Sequence, residues 1–325
     1  MTVPTDPTTY SALVLVVGAI VGLLAAGAFA LVRSGGPAAA GSTKPRVVLA
    51  RAASYAGLAV VLAAAAISGL AGITVLSALI AGIGLVEWSR LTDLPIQHRV
   101  ALQAASLVII VAVAVAGPAA SEVLVGGLVL VGIAWPIVRA DTGRAIRDLG
   151  IAAVGCIVLP VLLAHGVALA YRYGDDGVVL FVALAVACAF SDVAAFVIGR
   201  RFGSRRLAPT LSPNKTVAGV GGNLLGAAIG LVVFGPVLVG WIGVIGLVLL
   251  VPLVAFGAVW GDLLESAVKR EFGAKDAGAW LPGFGGILDR VDSLLLVVPL
   301  TYWVLRVADA AGAAGTAAAV GTIAS

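Results

Sequence analysis

Reactive side chains are scarce in this sequence. Of 325 residues, two are cysteine, two are histidine, one is methionine, and only 11% are charged. Cys156 and Cys188 lie in separate apolar runs and form no CxxC pair, which leaves no basis for a disulfide framework or a zinc site. His98 and His165 are far in the sequence from each other and from the densest charge. His165, alone in an apolar run, reads as a packed, hydrogen-bonded histidine. The alternating pattern of a transmembrane barrel is missing. There is no internal repeat, and no Walker A spacing follows a strand. So little charge also excludes an ordinary soluble domain, which carries about a quarter charged residues.

Apolar residues fill the space. They make up 61% of the chain, with a mean hydropathy of +1.15. They occur in runs of roughly 18 or more, the length that crosses a bilayer core. Runs lie near 10–32, 50–69, 71–88, 100–117, 119–138, 149–170, 177–199, 218–239, 241–264 and 293–312. The first is too long for a secretory signal peptide and lacks a basic start, so it reads as a mature span. The expected fold is all-α: a polytopic integral membrane helical bundle of about ten transmembrane helices. Residues 1–175 form an N-terminal set of about six, and residues 176–325 form a catalytic region. Assigning alternate loops to one side puts eighteen of the twenty Lys and Arg there, all but Arg172 and Arg306. The positive-inside rule makes that side cytoplasmic and puts both termini outside.

Charge is concentrated in residues 260–293, where six of sixteen carboxylates and four of twenty Lys and Arg interrupt the apolar pattern. Asp262, Glu265, Ser266 and Lys269 fall at i, i+3, i+4 and i+7, on one face of a helix. Asp289 and Asp292 are three apart. Converging carboxylates at a membrane surface suit a hard divalent ion, which takes a few carboxylates together with substrate phosphates. Ion pairing with Lys269 or Arg270 explains the same spacing, and spacing alone leaves both readings open. Lys269, Arg270, Lys275 and Arg290 interleave with the acids, as a site holding a metal and a polyphosphate together would require. The Gly-rich Leu281–Gly286 loop could bring backbone N–H groups to a phosphate.

A second stretch lies upstream. Asp192 sits inside an apolar run, where a carboxylate is a functional candidate. Arg200, Arg201, Arg205 and Arg206 form a basic loop able to meet acidic lipid head groups. Ser212, Lys215 and Thr216 then stand at the start of a Gly-rich helix, a candidate anion site. The glycines Gly219, Gly221 and Gly222 read as close helix packing. Glu87, beside Trp88 at the end of a span, reads as an interfacial residue.

These residues carry a resemblance. Ser266, Lys269-Arg270, Lys275-Asp276, Pro282-Gly283, Gly285-Gly286, Asp289-Arg290 and Asp292 have the order and spacing of the phosphatidate cytidylyltransferase (CDP-diacylglycerol synthase) signature. Ser212-Pro213-Asn214-Lys215-Thr216 and Asp192 are similar to upstream elements of that family, and the likeness covers roughly residues 185–300. It implies transfer of a cytidylyl group from CTP to phosphatidic acid at the cytoplasmic face of the cell membrane. It also implies Mg²⁺, with K⁺ as a second ion, and a homodimer. Asp262 and Asp289 would hold the metal site, with Asp192, Glu265 and Asp292 as further candidates. Lys269, Arg290, Ser266, Arg270 and Lys275 would hold phosphates, and Ser212, Lys215, Thr216 and Asp276 complete the expected site. One departure stands out: Phe284 occupies the place of the family's histidine. Losing a donor there would cost about 1–3 kcal/mol and slow the reaction. The competing readings are a CTP enzyme for another lipid phosphate or a polyprenol, a non-catalytic homologue, and a transporter. A transporter would concentrate its carboxylates at the midplane between two related halves.

Overall fold

The computed structural model of the protein describes residues 57–139, 143–274, 278 and 286–323. The first apolar run falls outside them. What is described is helical apart from one short hairpin. The helices are α1 (Gly57–Ile67), α2 (Gly69–Leu91), α3 (Ile96–Ala116), α4 (Ala119–Arg139), α5 (Ala145–Cys156) and α6 (Leu162–Phe202). The strands β1 (Arg206–Ala208) and β2 (Ser212–Thr216) follow, then α7 (Val217–Val233), α8 (Gly235–Glu271) and α9 (Leu288–Ile323). Among the described residues, five helices are long and apolar enough to cross a membrane, the α5–α6 run counting as one, and α1, α4 and α7 supply shorter apolar segments.

Backbone breaks fold the longest segments. Between α5 and α6 the ladder widens into a π turn, Ile157–Val161, at Pro160, which has no N–H to give. Within α6, Gly174 has φ 59°, a conformation that only glycine reaches cheaply, and the chain turns back on itself there. Gly166 packs on Phe181, and Gly177 packs on the Leu169 carbonyl, so the two halves of α6 run antiparallel. That hairpin is the centre of the molecule, and Leu163, Val167, Leu180, Ala183 and Leu184 are buried in it. The apolar runs expected near 149–170 and 177–199 are its two arms. A corresponding break in α8 falls at Gly243 (φ 70°), and α7 ends at Val233 rather than near 239. Gly235-Pro236 restarts the helix, as proline at a first helical turn does.

Glycine packing sets how close the second arm of α6 comes to α7. Gly222, Gly226 and Gly230 repeat every fourth residue and lie against the backbone of Ala194–Ala195, Phe190–Ser191 and Ala187. Without Cβ atoms on one side, two backbones touch, the usual device for membrane helices. Ser191 and Asn223 are buried in this seam and bond each other: Asn223 Nδ2 donates to Ser191 Oγ at 2.9 Å, and Ser191 Oγ donates to the Asn223 carbonyl at 3.1 Å.

The same device joins α8 to α9. A Cβ on Gly261 would run into the Asp292 carbonyl and Ser293 Cα, and one on Gly257 would meet Val297. This contact sets Asp262 beside Asp292. Gly261→Ala is therefore expected to destabilise the fold by about 1–3 kcal/mol through overpacking. It should also separate the two carboxylates, read as a lower melting temperature in detergent together with a weaker metal response. A Gly261→Ala protein identical to wild type in both would show that the helices have room to spare.

Candidate active site

The site lies where the end of α8, the start of α9, the β1–β2 hairpin and the end of α2 meet. On α8, Asp262, Glu265, Ser266 and Lys269 share one face, as their spacing predicts, and the last three are buried. Lys269 is the hub. Its Nζ is 2.5 Å from Glu265 Oε2 and 2.6 Å from Asp289 Oδ1. Asp289 uses its other oxygen to accept the Gly286 N–H at 2.8 Å, a cap on the first turn of α9. Ser266 Oγ donates to Asp262 Oδ1 at 3.3 Å.

Asp262, Glu265 and Asp292 bring one carboxylate oxygen each within 4.8 Å of one another. Asp292 is 9% exposed, and its Oδ1 accepts the Ser293 N–H at 2.7 Å. Glu265 Oε1 is buried and finds no hydrogen-bond donor among the described residues. A buried carboxylate oxygen without a donor is costly unless something positive meets it. An all-oxygen trio of carboxylates has the donor chemistry of a hard divalent cation. Asp192, on the second arm of α6, borders this trio: its charged neighbours are Asp262, Lys215 and Arg290, and the Ser293 hydroxyl bonds to it. Asp289, expected among the metal ligands, stands outside the trio and is engaged by Lys269 and the Gly286 N–H.

The upstream motif reaches the same place through a strand. Residues 212–216 are β2, paired antiparallel with β1, where the sequence pattern suggested only a basic loop leading to a helix. The exposed Pro213 fits a two-stranded ribbon, whose open edge tolerates a missing N–H. Lys215, on the last turn of that ribbon, bridges to Asp262 Oδ2 at 2.7 Å and donates to the Val259 carbonyl at 3.3 Å. Thr216 is buried, and its hydroxyl accepts the Gly219 N–H at 3.1 Å, so it is the N-cap of α7. Ser212 opens the strand opposite Ala208. Arg270 donates to the Leu211 carbonyl at 3.4 Å and the Ala274 carbonyl at 3.1 Å, tying the ribbon to the end of α8. Arg290 is exposed on the first turn of α9. Lys275, Asp276 and Phe284 lie outside the described residues.

One participant has no signal in the motifs. Glu87 is 1% exposed, and its two oxygens accept the Ile287 and Leu288 N–H groups at 3.0 and 2.9 Å. The only sequence hint is a carboxylate at the end of an apolar run, and the interfacial reading gives way to a buried one. His165 matches its expectation: Nδ1 lies 2.8 Å from the Val161 carbonyl, and Nε2 accepts from Trp303 Nε1 at 3.1 Å.

The family model described as "Cytidylyltransferase family" matches residues 49–308. The chain is 38% identical over 199 residues to a phosphatidate cytidylyltransferase of Brucella suis, an alignment covering 53% of this chain and 72% of that protein. It is 33% identical over 185 residues to the protein of that name from Mycobacterium bovis, covering 52% of this chain and 58% of the relative. For the one from Bacillus subtilis the identity is 43% over 115 residues, covering 35% and 43%. The chain thus spans most of the first relative and about half of the other two.

Proposed function

The chain belongs to the cytidylyltransferase family, and on that premise we propose that it transfers the cytidylyl group of CTP to phosphatidic acid, giving CDP-diacylglycerol and pyrophosphate. One observation carries this reading. Three carboxylates converge within 4.8 Å at the end of apolar helices, beside two lysines, Lys215 and Lys269, that pair with Asp262 and Glu265 of that trio. Such a site is built for phosphate chemistry at a membrane surface.

Asp262, Glu265 and Asp292 are the residues that would hold Mg²⁺, with Asp192 at the edge of the trio and Asp289 one shell away behind Lys269. When bound, the ion would withdraw charge from the phosphates of CTP. The protein's own part is positioning and charge cancellation. The lipid phosphate is already an anionic nucleophile, so its oxygen forms the new bond to the α-phosphorus while the bond to the β-phosphate oxygen breaks. Pyrophosphate leaves with that electron pair, and no general base is needed. Lys215, Lys269, Arg270 and Arg290 offset the repulsion between the two anions and align them. Ser212, Ser266, Lys275 and Asp276 are assigned to CTP on the family resemblance. The Thr216 hydroxyl supports it indirectly by capping α7.

The finer architecture belongs to the same proposal. The turn at Gly174, the hairpin contacts of α6 and the apolar run at 10–32 support about ten passes. The division into N-terminal helices 1–175 and a catalytic region 176–325 rests on the family resemblance, which begins near residue 185. The excess of Lys and Arg supports a cytoplasmic site in the cell membrane, and the family resemblance supports a homodimer and K⁺ as a second ion. Clustering of the acids at one helix end, instead of the midplane, argues against transport. The test is an acceptor panel: purified protein, CTP and Mg²⁺ with phosphatidic acid, a polyprenyl phosphate or diacylglycerol, with products read by mass spectrometry. CDP-diacylglycerol from phosphatidic acid alone is the expected result. Preference for a polyprenyl acceptor would move the substrate, and no product with any acceptor would overturn the reading.

A further inference from the structure

The start of α9 is positioned by a residue from the far end of the sequence. Glu87 lies on α2, about one turn from its end, yet its carboxylate bonds to backbone 200 and 201 residues away. The fit is close on every side. A Cβ on Gly278 would come 2.7 Å from Glu87 Cδ, and one on Gly286 would come 2.7 Å from Oε1. Both glycines leave space that the carboxylate fills. Its charged neighbours are Asp289 and Arg90.

The first N–H groups of any helix lack partners inside it and carry the positive end of its dipole. Within α9 that first turn bears Asp289 and Arg290, and Asp292 follows directly after it. Asp289 takes the Gly286 N–H, and Glu87 takes the next two, so three consecutive donors are held by two carboxylates. Charge-assisted bonds of this kind are shorter and stronger than neutral ones. They fix both the height and the rotation of the first turn, and thereby where Asp289 meets Lys269 and where Asp292 meets Asp262.

We infer that Glu87 is a positioning residue of the active site, a cap supplied from α2 that holds the first turn of α9 in the register the acid cluster needs. The part concerning metal rests on the proposed function, while the part concerning the helix start does not. Glu87→Gln keeps the shape but turns one acceptor into a donor facing a backbone N–H. Glu87→Asp keeps the charge but shortens the reach, and stands in should the glutamine variant fold poorly. Asp309→Asn is the control. Asp309 sits about 30 Å further along the same helix, where it binds Arg172 at 3.1 Å and Tyr173 Oη at 2.8 Å.

Two readouts are compared on protein in detergent micelles. Hydrogen exchange of residues 286–292 should be markedly faster in Glu87→Gln and intermediate in Glu87→Asp, with exchange in the middle of α9 unchanged. Binding of Mn²⁺, followed by its paramagnetic resonance signal, should weaken about 10–100-fold, the usual cost of losing a partner that orients metal ligands. Asp309→Asn should leave both at wild-type values. Unchanged exchange at 286–292 in both Glu87 variants would overturn the inference. So would faster exchange with wild-type Mn²⁺ binding, which would make Glu87 a stability element only. Wild-type protein that binds no Mn²⁺ would count against the proposed function, and the exchange data would still decide the role of Glu87 at the helix start.

Discussion

Asp262→Asn is expected to lower cytidylyl transfer by at least about a hundredfold, the scale of losing one preorganised charge-stabilising group, while leaving the bundle folded. Asp262 is at once a member of the carboxylate trio, the partner of Lys215 and the acceptor of the Ser266 hydroxyl. Its side chain is 36% exposed, and Lys215 keeps the Val259 carbonyl, so the structural cost of removing the charge is small. The effect should fall on turnover and on the Mg²⁺ concentration needed for half-maximal rate, with little change in melting temperature. Steady-state kinetics across a Mg²⁺ series would check this. A variant within a few-fold of wild type at every Mg²⁺ concentration would remove Asp262 from the reaction.

Lys269→Met should show the opposite balance, with stability and activity falling together. The Lys269 ammonium stands between Glu265 and Asp289, whose side chains are 5% and 9% exposed. Removing it takes the Lys269 ammonium away from two buried carboxylates at once, and breaking a buried pair in this way costs about 3–5 kcal/mol. Thermal unfolding in detergent would read that loss, and transfer would fall because Asp289 loses one of its anchors. The double variant Lys269→Met/Glu265→Gln separates the two effects. Relieved of one charge, it should recover much of the stability and none of the activity, a coupling of the kind seen between residues in one network. If the single variant melts like wild type, the hub is not holding the acids together.

Much of this arrangement follows from local pattern. The i, i+3, i+4, i+7 spacing put Asp262, Glu265, Ser266 and Lys269 on one face because a helix repeats every 3.6 residues wherever it occurs. Gly219 and Gly222 at the start of α7 pack closely on α6, as small residues between membrane helices do, whereas a Cβ on Gly221 would meet nothing. What pattern could not reach is set by partners far apart in sequence. Nothing near Glu87 announces that it caps a helix two hundred residues later, since the donors it meets are backbone N–H groups without side-chain identity. Which acid of α9 answers Lys269 and which joins the trio also depended on the rotation of α9, set against Gly261 and Glu87. Pairing of Lys215 with Asp262 required the β1–β2 ribbon, and a five-residue strand containing a proline carries too little alternation to be read. The end of α7 was misplaced for a related reason. Hydropathy is continuous across Phe234–Gly243 and masks the turn signal that Gly235-Pro236 and Gly243 carry.

The measurement that meets the central claim most directly follows the α-phosphate. Purified protein is given CTP labelled at the α-phosphorus and phosphatidic acid, with Mg²⁺ or with a chelator, beside Asp262→Asn. The account predicts label in a lipid-soluble CDP-diacylglycerol and unlabelled pyrophosphate in equal amounts. Both should appear only with Mg²⁺ and be nearly absent in the variant. Label that stays in water-soluble products, or transfer that persists in the chelator, would contradict a metal-assisted cytidylyl transfer at the carboxylate cluster.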